Sequence, residues 1–490
     1  MKATGQICSV LRIHNCPEPL LGEVLEILTL PNPAFATASR FSPWAIRHIP
    51  QFIYLALYDG PRKVLELPRG VRLRNSLSAE ARKQWEEIEW EDCRVTHPCV
   101  FPFFKGTPNA EQKELLRLAK AHLFGKTNGE AYGTLLLVAP TSAGKTFGQI
   151  LLAKLLGQRA LVLCKTNLIR KAWEDDLINL AGVRREDIGI IQQNKMRIGK
   201  NFTLGSIATL GRRKGMWEQM FTQFGTLIID EAQITGGDTV AAIARNAPCK
   251  YVLGLTATPK RRDGRDKVVT AYLGRPAGVI ANKQEETHSS LPLSDAEILE
   301  TGFIYVDSRG RDIDGPAMVY TDLLARMSSD HDRNDLIVDR VVSLHAEESN
   351  NCLLVVSERV EHLHTLALKL RSRGVGASVL TGDVTGTERE LIYKSVLSRQ
   401  VRVLLATKSL IKLGANLNTL NWLVLATPTN ADDLEQLVGR VRRKATGKTY
   451  AKLLYVLDTN VPYLHRKWKN VFFPVMRKLK VPRYENMFVG

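Results

Sequence analysis

The chain has 490 residues, of which 44% are hydrophobic and 24% are charged, and its formal net charge is +18. This composition is that of an ordinary globular protein, and no apolar stretch approaches the ~20 residues that a membrane-spanning helix needs. The positive charge favours a polyanionic partner. Nucleic acid is favoured over an anionic membrane surface, because no strongly basic amphipathic helix is apparent.

The N-terminus and the cysteines predict a cytoplasmic protein. The opening MKATGQICSVLRIHNCPEP has no apolar core followed by a cleavage-like site, which argues against secretion. Seven scattered cysteines are an odd number, as expected for reduced thiols rather than a disulfide framework. Cys93, His97 and Cys99 form the closest group, but they lack the paired C-x-x-C spacing of structural zinc sites. We therefore expect no metal there.

Residues 1–100 predict a small α+β module. Strand-like runs, FIYLALYDG and KVLELPRGVRLR, alternate with turn-rich pieces such as LPNPAF. The charged segment EARKQWEEIEWEDC predicts a helix or linker that leads out of this module.

Residues 105–285 alternate apolar runs with helical segments, and residues 300–460 repeat the alternation after a polar stretch, NKQEETHSSLPLSDAE, that predicts an interdomain connection. Apolar strands separated by helices predict parallel sheets covered on both faces. Residues 461–490 mix basic and aromatic residues and predict a basic tail. The predicted fold class is α/β, with two tandem domains of parallel sheet that follow the small α+β module.

The stretch APTSAGKTF, residues 139–147, lies between a predicted strand and a predicted helix. This is the setting of a P-loop, where backbone N–H groups at a helix start hold phosphate oxygens. Lys145 would reach the outer phosphates, and the Thr146 hydroxyl would bind magnesium. Ala139 replaces the usual first glycine. The alternative is a strand-to-helix turn that needs Gly144 only for its backbone freedom. The predicted phosphate cradle is Thr141, Ser142, Ala143 and Gly144.

Two carboxylates, Asp230 and Glu231, follow the apolar run GTLII in the stretch DEAQ. Beyond the carboxyl end of a buried strand, such a pair supplies the second half of an NTP-hydrolysis site. Asp230 would hold the magnesium ion through water, and Glu231 would orient or deprotonate the attacking water. A surface turn that contains Asp-Glu is the alternative.

Hydroxyls and arginines follow later strands. Thr256 and Thr258 in TATP are candidates for tying the carboxylate pair to the nucleic-acid side, although a helix-entry turn has the same sequence. In QLVGRVRR, Arg440 and Arg443 lie three apart and hence on one face of a helix, with Gln436 preceding them. Arginines so placed can neutralise the transition-state charge of a triphosphate. A basic solvated helix is the alternative.

These four stretches, in this order on two α/β domains, resemble motifs I, II, III and VI of superfamily 2 helicases over roughly residues 105–460. The resemblance implies two RecA-like domains that bind ATP and Mg²⁺ and move along nucleic acid. It also implies functional residues in further stretches: Gln112 beside adenine in TPNAEQKELL, and Thr166 and Thr209 on the nucleic-acid backbone in motifs Ia and Ib. In motif V it implies that Thr407 and Lys408 contact the nucleic-acid strand and that Gly414 lies near the nucleotide.

Three residues depart from the family pattern. Asn416 stands where motif V often has an acidic residue, Gln233 replaces the usual His or Cys after the acidic pair, and Lys165 replaces a common proline in motif Ia. The first departure puts the coupling role of motif V in doubt. The last would add a phosphate contact if Lys165 faces the strand.

Within the superfamily, LGLTATPKRRDG and YVLDTNVPYLHRKWKN resemble phage helicases that process branched recombination intermediates, and the wider XPB-like group. The resemblance implies that the N-terminal module recognises DNA, with packing of Trp44 and solvation of the arginines as the alternative. Its candidate contacts are Arg40, Trp44, Arg47, Arg69, Arg72 and Arg74.

The predicted function is an ATP- and Mg²⁺-dependent DNA helicase or translocase, expected as a monomer, that remodels forked or four-way-junction DNA. Recombination or replication proteins are possible partners, and a phage-encoded chain would act in the host cytoplasm. Three alternatives stay open: an RNA helicase of the same fold, a double-strand DNA translocase that does not separate strands, and a non-enzymatic DNA-binding protein with a decayed ATP site.

Overall fold

The structure is a computed structural model. It describes residues 2–41, 43–102, 104–125, 132–139, 144–256, 263–280, 291, 293–307, 309–313, 318–384, 386–408, 417–445, 447–479, 481 and 488–489, with the side chains of 37, 40, 41, 43–45, 168, 386, 488 and 489 left aside. The chain divides into two units, Met1–Asn282 and Lys283–Gly490. No helix in these described ranges is long and apolar enough to cross a membrane.

The first unit begins with a mixed sheet of order β5-β6-β2-β1-β7, in which only β1 and β7 pair in parallel, and a two-stranded ribbon of β3 and β4. The strands are β1 (Thr4–Ile7), β2 (Val10–His14), β3 (Thr29–Pro31), β4 (Phe52–Tyr54), β5 (Leu57–Asp59), β6 (Val64–Pro68) and β7 (Glu89–Asp92). The helices are α1 (Glu18–Ile27), α2 (Pro33–Phe41) and α3 (Ala79–Glu86), with a 3₁₀ helix at Pro43–His48.

The same unit continues as an eight-stranded sheet of order β11-β10-β12-β9-β13-β14-β8-β15, parallel except for the β10–β11 pair. Its strands are β8 (Thr134–Val138), β9 (Ala160–Cys164), β10 (Gly189–Gln192), β11 (Lys195–Arg197), β12 (Phe202–Ser206), β13 (Thr226–Asp230), β14 (Tyr251–Thr256) and β15 (Pro276–Val279). Its helices are α4 (Ala110–Phe124), α5 (Lys145–Leu156), α6 (Asn167–Asn179), α7 (Ile207–Arg212), α8 (Trp217–Phe221), α9 (Asp238–Asn246) and α10 (Asp266–Leu273).

The second unit is a seven-stranded, wholly parallel sheet of order β18-β19-β17-β20-β21-β16-β22. Its strands are β16 (Leu293–Thr301), β17 (Leu353–Ser357), β18 (Ala377–Leu380), β19 (Val403–Thr407), β20 (Trp422–Leu425), β21 (Ala451–Asp458) and β22 (Phe488–Val489). Its helices are α11 (Tyr320–Ser329), α12 (His331–Glu347), α13 (Val360–Ser372), α14 (Gly386–Leu397), α15 (Ala431–Val441) and α16 (Pro462–Lys478).

The central strands of each parallel sheet are buried on both faces, which explains their continuous apolar runs. In β17, Leu354 and Val356 join one core cluster while Leu353 and Val355 join another on the opposite face. Side chains alternate across a strand, so a strand covered on both sides must be apolar at every position. The predicted α/β class with tandem parallel sheets is therefore confirmed.

The boundaries of several predicted segments were wrong. The end of the polar stretch at 282–297 is not a connection, because Leu293–Thr301 forms β16 and pairs with β21 along its length. The second half of EARKQWEEIEWEDC is a strand, β7, rather than helix or linker. The expected basic tail begins with a packed helix, α16, that buries Leu464, Trp468 and Phe472 in the second unit's core.

Candidate nucleotide and nucleic-acid sites

The carboxyl edge of the eight-stranded sheet gathers most of the predicted motifs of the first unit. The central strands β12, β9, β13, β14 and β8 are mutually parallel, so their carboxyl ends lie on one edge. Asp230 ends β13, Thr256 ends β14, and Ser206 ends β12. In α/β sheets this edge is where ligands bind.

The segment predicted as a P-loop leads directly into helix α5. Lys145 and Thr146 are the first two residues of α5, and Gly144 before them has φ 63° and ψ 48°. That left-handed conformation suits glycine, and a Cβ atom at this position would lie 2.5 Å from Nε2 of Gln112. Thr141, Ser142 and Ala143 of the predicted cradle lie outside the described residues.

Gln112, predicted beside adenine, is buried against the P-loop. Its Nε2 donates to the Gly144 carbonyl (3.1 Å), and its Oε1 accepts from the backbone N–H of Asn109 (2.9 Å). Asn109 Oδ1 in turn accepts from the Gln112 N–H (2.8 Å), which completes a capping box at the start of α4. The side chain therefore fixes α4 to the residue that opens α5.

The acidic pair has a constrained geometry. Glu231 has φ 56° and ψ 64°, a left-handed conformation that is costly for a residue with a side chain and is concentrated at functional sites. Its N–H donates to Asp230 Oδ1 (3.0 Å), and the indole Nε1 of Trp173 donates to Asp230 Oδ2 (3.0 Å). Both carboxylate oxygens of Asp230 are thus held.

Gln233, two residues after Glu231, contacts the end of the next strand. Thr256 Oγ1 donates to Gln233 Oε1 (2.6 Å), so the glutamine that departs from the family pattern binds the first threonine of TATP. Thr258, the second predicted coupling residue, lies outside the described residues.

A polar pocket of about 240 Å³ opens beyond β9 and β12. Thr166 caps α6 by accepting from the Ile169 N–H (3.4 Å), and burial raises the pKa of the Cys164 thiol, with the nearby Asp230 carboxylate adding to the rise. Thr209 is not in this lining: its hydroxyl is buried and accepts from the Gln193 N–H (3.0 Å). The lining is Cys164, Lys165, Thr166, Asn167, Arg170 and Ser206.

In the second unit, the predicted arginines lie at the C-terminal end of α15. Gln436 and Arg440 are half-buried one helical turn apart, but the helix ends at Val441. Arg443 therefore lies beyond the helix rather than on its face, with its N–H donating to the Arg440 carbonyl (3.3 Å). The Lys448 ammonium donates to the carbonyls of Arg443 (2.8 Å), Asn418 (3.0 Å) and Leu420 (2.5 Å).

Of the motif V residues, Thr407 is the half-buried last residue of β19, whereas Gly414 and Asn416 lie outside the described residues. Lys408 is buried, 6% exposed, and its ammonium donates to Glu358 Oε1 and to the Pro428 carbonyl. Lys408 is therefore not one of the proposed nucleic-acid contacts, because its charge is already held inside the unit.

The candidate contacts of the N-terminal module divide into buried, bonded and exposed residues. Arg69 is 2% exposed and its Nη1 donates to the Cys249 carbonyl (2.8 Å), so this predicted contact is corrected to a packing role. Arg72 donates to Thr134 (3.4 Å) and Arg74 to Glu86 (2.7 Å), while Arg47 is exposed. The side chains of Arg40 and Trp44 are among those not described.

Models of known protein families match a segment in each of the two units. The model of the type III restriction enzyme res subunit matches residues 105–261, and the helicase conserved C-terminal domain matches residues 335–445. This chain belongs to the superfamily 2 helicases. The first match includes Lys145 and Asp230, and the second includes helix α15, which carries Arg440.

Viral helicases are among the relatives. Helicase D10 of Escherichia phage T5 is 26% identical over 306 residues, which are 62% of this chain and 63% of that protein, less than two thirds of its length. QP509L of African swine fever virus, whose name describes an ATP-dependent RNA helicase, is 23% identical over 425 residues, covering 78% of this chain and 75% of its own. The solved structure of S. cerevisiae Dbp5 bound to RNA and ADP BeF3 shares the fold, with a TM-score of 0.54 at 16% identity over 78% of this chain and 90% of its own.

Sequence reasoning did not identify Trp173, which hydrogen-bonds Asp230, or Lys448, which hydrogen-bonds the backbone of Arg443. Trp173 lies 57 positions from Asp230 along the chain, and no local pattern marks such a contact. In the sequence, Lys448 is marked only by the glycine before it. Its three carbonyl partners lie in two separate segments of the chain. Both contacts depend on how distant segments pack, which periodicity and motif spacing do not report.

Proposed function

We propose that this helicase is an ATP-dependent DNA motor that remodels branched DNA. The observation that carries the proposal is the shared sheet edge of the first unit. It brings together the start of α5 with Lys145, the Asp230–Glu231 pair, and a pocket lined by Lys165 and Arg170. A phosphate site, a carboxylate pair and a basic pocket on one edge suit a motor that couples nucleotide hydrolysis to a polyanionic track.

The residues present fit MgATP. Hard cations such as Mg²⁺ take oxygen ligands, which Asp230 and the Thr146 hydroxyl provide, and the lysine at the helix start suits phosphate oxygens. Bound MgATP supplies a phosphorus centre open to attack by water. In the proposal Lys145 holds the outer phosphates, Thr146 and Asp230 hold the metal, and Glu231 orients and deprotonates the attacking water. In the proposal, the two hydrogen bonds to the Asp230 carboxylate hold it in the orientation that binds the metal.

The second unit contributes positive charge to the proposed reaction. Arg440 and Arg443 neutralise the charge that develops on the transferred phosphoryl group, and Gln436 assists them. Because these side chains belong to the unit Lys283–Gly490, hydrolysis in this proposal requires both units. In the proposal, ATP hydrolysis drives movement along the nucleic-acid strand, which Thr166 and the neighbouring basic pocket contact.

DNA is proposed as the track and branched DNA as the preferred substrate. The net charge of +18 favours any nucleic acid. The resemblance of LGLTATPKRRDG and YVLDTNVPYLHRKWKN to phage helicases that process branched recombination intermediates favours DNA. Within the N-terminal module, exposed Arg47 is proposed to help choose a branch point.

Two other functions have an observation in their favour. The relative from African swine fever virus is named as an RNA helicase, which favours RNA as the track. The match to the res subunit of type III restriction enzymes favours a double-strand translocase that moves without separating strands. Both use the same nucleotide site and differ in the nucleic acid that stimulates it.

The substrate is tested by measuring ATP hydrolysis with no nucleic acid and with single-stranded DNA, duplex DNA, a four-way junction and RNA, at low and moderate salt. The proposal predicts the largest stimulation with the junction. Stimulation by RNA alone supports the first alternative. Stimulation by duplex with no strand displacement in a parallel gel assay supports the second. No stimulation by any of these contradicts all three.

The nucleotide roles are tested with Lys145→Ala and Glu231→Gln. Each is expected to abolish ATP turnover, since the first removes a phosphate contact and the second removes the base, while DNA binding stays largely intact. Lys113→Ala, an exposed lysine of α4, is the control and is expected to turn over ATP as the wild type does. Full ATPase activity in either site variant would contradict the assigned roles.

A further inference from the structure

Trp173 links helix α6 to the acidic pair. Its indole Nε1 donates to Asp230 Oδ2 at 3.0 Å, and its side chain is 1% exposed. An indole has one donor and no acceptor, and a buried Trp N–H usually needs a partner. Here that partner is the carboxylate proposed to hold the metal, rather than the backbone carbonyl that serves Trp217 in the same unit.

The hydrogen bonds of Asp230 define its orientation. One oxygen accepts from Trp173 and the other from the Glu231 N–H, both at 3.0 Å. The second bond is local and would survive rotation of neighbouring elements, but the first comes from a different helix. Trp173 is therefore the side chain among the described residues that ties this carboxylate to the rest of the sheet edge.

Helix α6 also carries part of the basic pocket at its N-terminal end. Thr166 caps the helix and Arg170 lies one turn further on, paired with Glu174 (2.7 Å). Trp173 follows Thr166 by seven residues, a separation of ~10 Å along the helix axis. The pocket and the metal carboxylate are thus contacted by one rigid element.

We propose that Trp173 is a positioning residue that holds Asp230 in its metal-binding orientation. The inference rests on the proposed function, because it takes Asp230 as the metal residue. Groups that hydrogen-bond a metal ligand from outside the coordination sphere typically change metal affinity by about 10–100-fold when removed. Trp173 is expected to act at the lower end of this range, because Asp230 keeps its second hydrogen bond.

The test is a binding measurement, independent of turnover. A fluorescent ADP analogue, methylanthraniloyl-ADP, is titrated into the full chain in EDTA and at increasing MgCl₂. In Trp173→Phe, the MgCl₂ concentration for half of the gain in affinity should rise about tenfold, while affinity in EDTA is unchanged. A metal requirement within about twofold of wild type would overturn the inference. General destabilisation lowers both affinities and so is told apart.

The matched control is Trp217→Phe. It removes the same donor, since Trp217 Nε1 donates to the Leu210 carbonyl (2.9 Å), and it is expected to leave the MgCl₂ requirement unchanged. If Trp173→Phe fails to fold, Trp173→Met, which also lacks an N–H, is used. Whichever variant folds is combined with Asp230→Asn. Loss of the Trp173 effect in that background supports action through Asp230, and an undiminished effect overturns it.

The result separates this inference from the proposed function. A wild-type chain whose affinity for the analogue does not depend on MgCl₂ contradicts the proposed nucleotide site and this inference together. A wild type that depends on MgCl₂, with Trp173→Phe indistinguishable from it, leaves the proposed function in place and overturns only the role of Trp173.

Discussion

At the scale of single residues, Arg69 shows how burial changes the meaning of a basic side chain. As sequence it is one of several arginines near a predicted DNA-recognition surface. In the structure it is 2% exposed, burial lowers its pKa to about 10, and it donates to the Cys249 carbonyl at 2.8 Å. Arg69 joins the N-terminal module to the segment before β14, so its guanidinium group has a structural role.

We therefore predict that Arg69→Met lowers the free energy of unfolding by about 2 kcal/mol, the usual cost of losing a charged hydrogen bond. Nucleic-acid affinity of the folded variant should be unchanged. Urea titration and fluorescence-anisotropy binding measure the two quantities. The matched change, Arg47→Met at an exposed position, should leave the free energy of unfolding unchanged and weaken nucleic-acid binding. Equal effects of both variants on binding would show that Arg69 reaches the nucleic acid.

A second residue-scale prediction concerns His362. It is buried in α13, where Nε2 donates to Asn334 Oδ1 (2.8 Å) and Nδ1 accepts from Ser357 Oγ (3.0 Å). Burial, with Arg333 nearby, lowers the pKa of His362 to about 3 from 6.5. Between these pH values the unfolded chain binds a proton that the folded chain excludes, so stability falls as pH falls through this window.

The loss from this one group approaches about 1.4 kcal/mol per pH unit well below the unfolded pKa. His362→Gln should be less stable than wild type near neutrality but should lose stability more slowly between about pH 6 and pH 4.5. Urea titrations across that range measure both. His364→Gln, at an exposed position of the same helix, should keep the wild-type pH dependence. Parallel pH profiles for His362→Gln and wild type would contradict the prediction.

At the scale of elements, the parallel strands were predictable and their exceptions were not. Runs such as TLLLV and LLVVS each contain four consecutive apolar residues, which identifies a strand buried on both faces from the sequence alone. β16 was missed because Ser294, Asp295 and Glu297 interrupt LSDAEILET with polar residues, and its place in the sheet depends on pairing with the distant strands β21 and β22. Long-range pairing of this kind overrides local preference.

Helix α16 gives the element-scale prediction. One side buries Leu464, Trp468 and Phe472, while Lys469 and Arg477 are exposed. Phe472→Ala should cost about 3–5 kcal/mol of stability because it leaves a cavity. Lys469→Ala with Arg477→Ala should change stability by less than about 0.5 kcal/mol.

The basic face of α16 is expected to follow the phosphate backbone. The double alanine variant should weaken DNA binding and reduce the slope of log affinity against log salt by about two, or about 0.9 for each phosphate that the protein no longer neutralises. Binding measured at several salt concentrations gives the slope. An unchanged slope in the stably folded double variant would show that this face is only solvated.

At the scale of the whole molecule, the position of the hydrophobic cores governs how the chain unfolds. Among the described residues, each core cluster belongs wholly to Met1–Asn282 or wholly to Lys283–Gly490. One cluster joins strands of the N-terminal module, through Leu11 and Leu65, to Leu227 and Ile229 of the eight-stranded sheet. The module should therefore unfold with that sheet, although its sequence predicts a separate small domain.

The last prediction follows from this division. Residues 1–282 and residues 283–490, produced separately, should each fold, because each retains its core clusters. The first fragment keeps Lys145, Thr146 and Asp230, so MgADP at about 100 times its Kd should stabilise it by about 2.7 kcal/mol. It lacks Arg440 and Arg443 and should not hydrolyse ATP.

Calorimetry of both fragments with and without MgADP, and of the first fragment carrying Lys145→Ala, separates the contributions. The Lys145→Ala fragment should lose most of the ligand-induced shift while keeping its unliganded transition. Because the shift arises from binding to the folded state alone, it measures the nucleotide site without any contribution from turnover. A first fragment that hydrolyses ATP at the full-length rate would show that the second unit's arginines are dispensable. If MgADP stabilised the second fragment to the same extent, the main nucleotide contacts could not be assigned to residues 1–282, and the prediction would be contradicted.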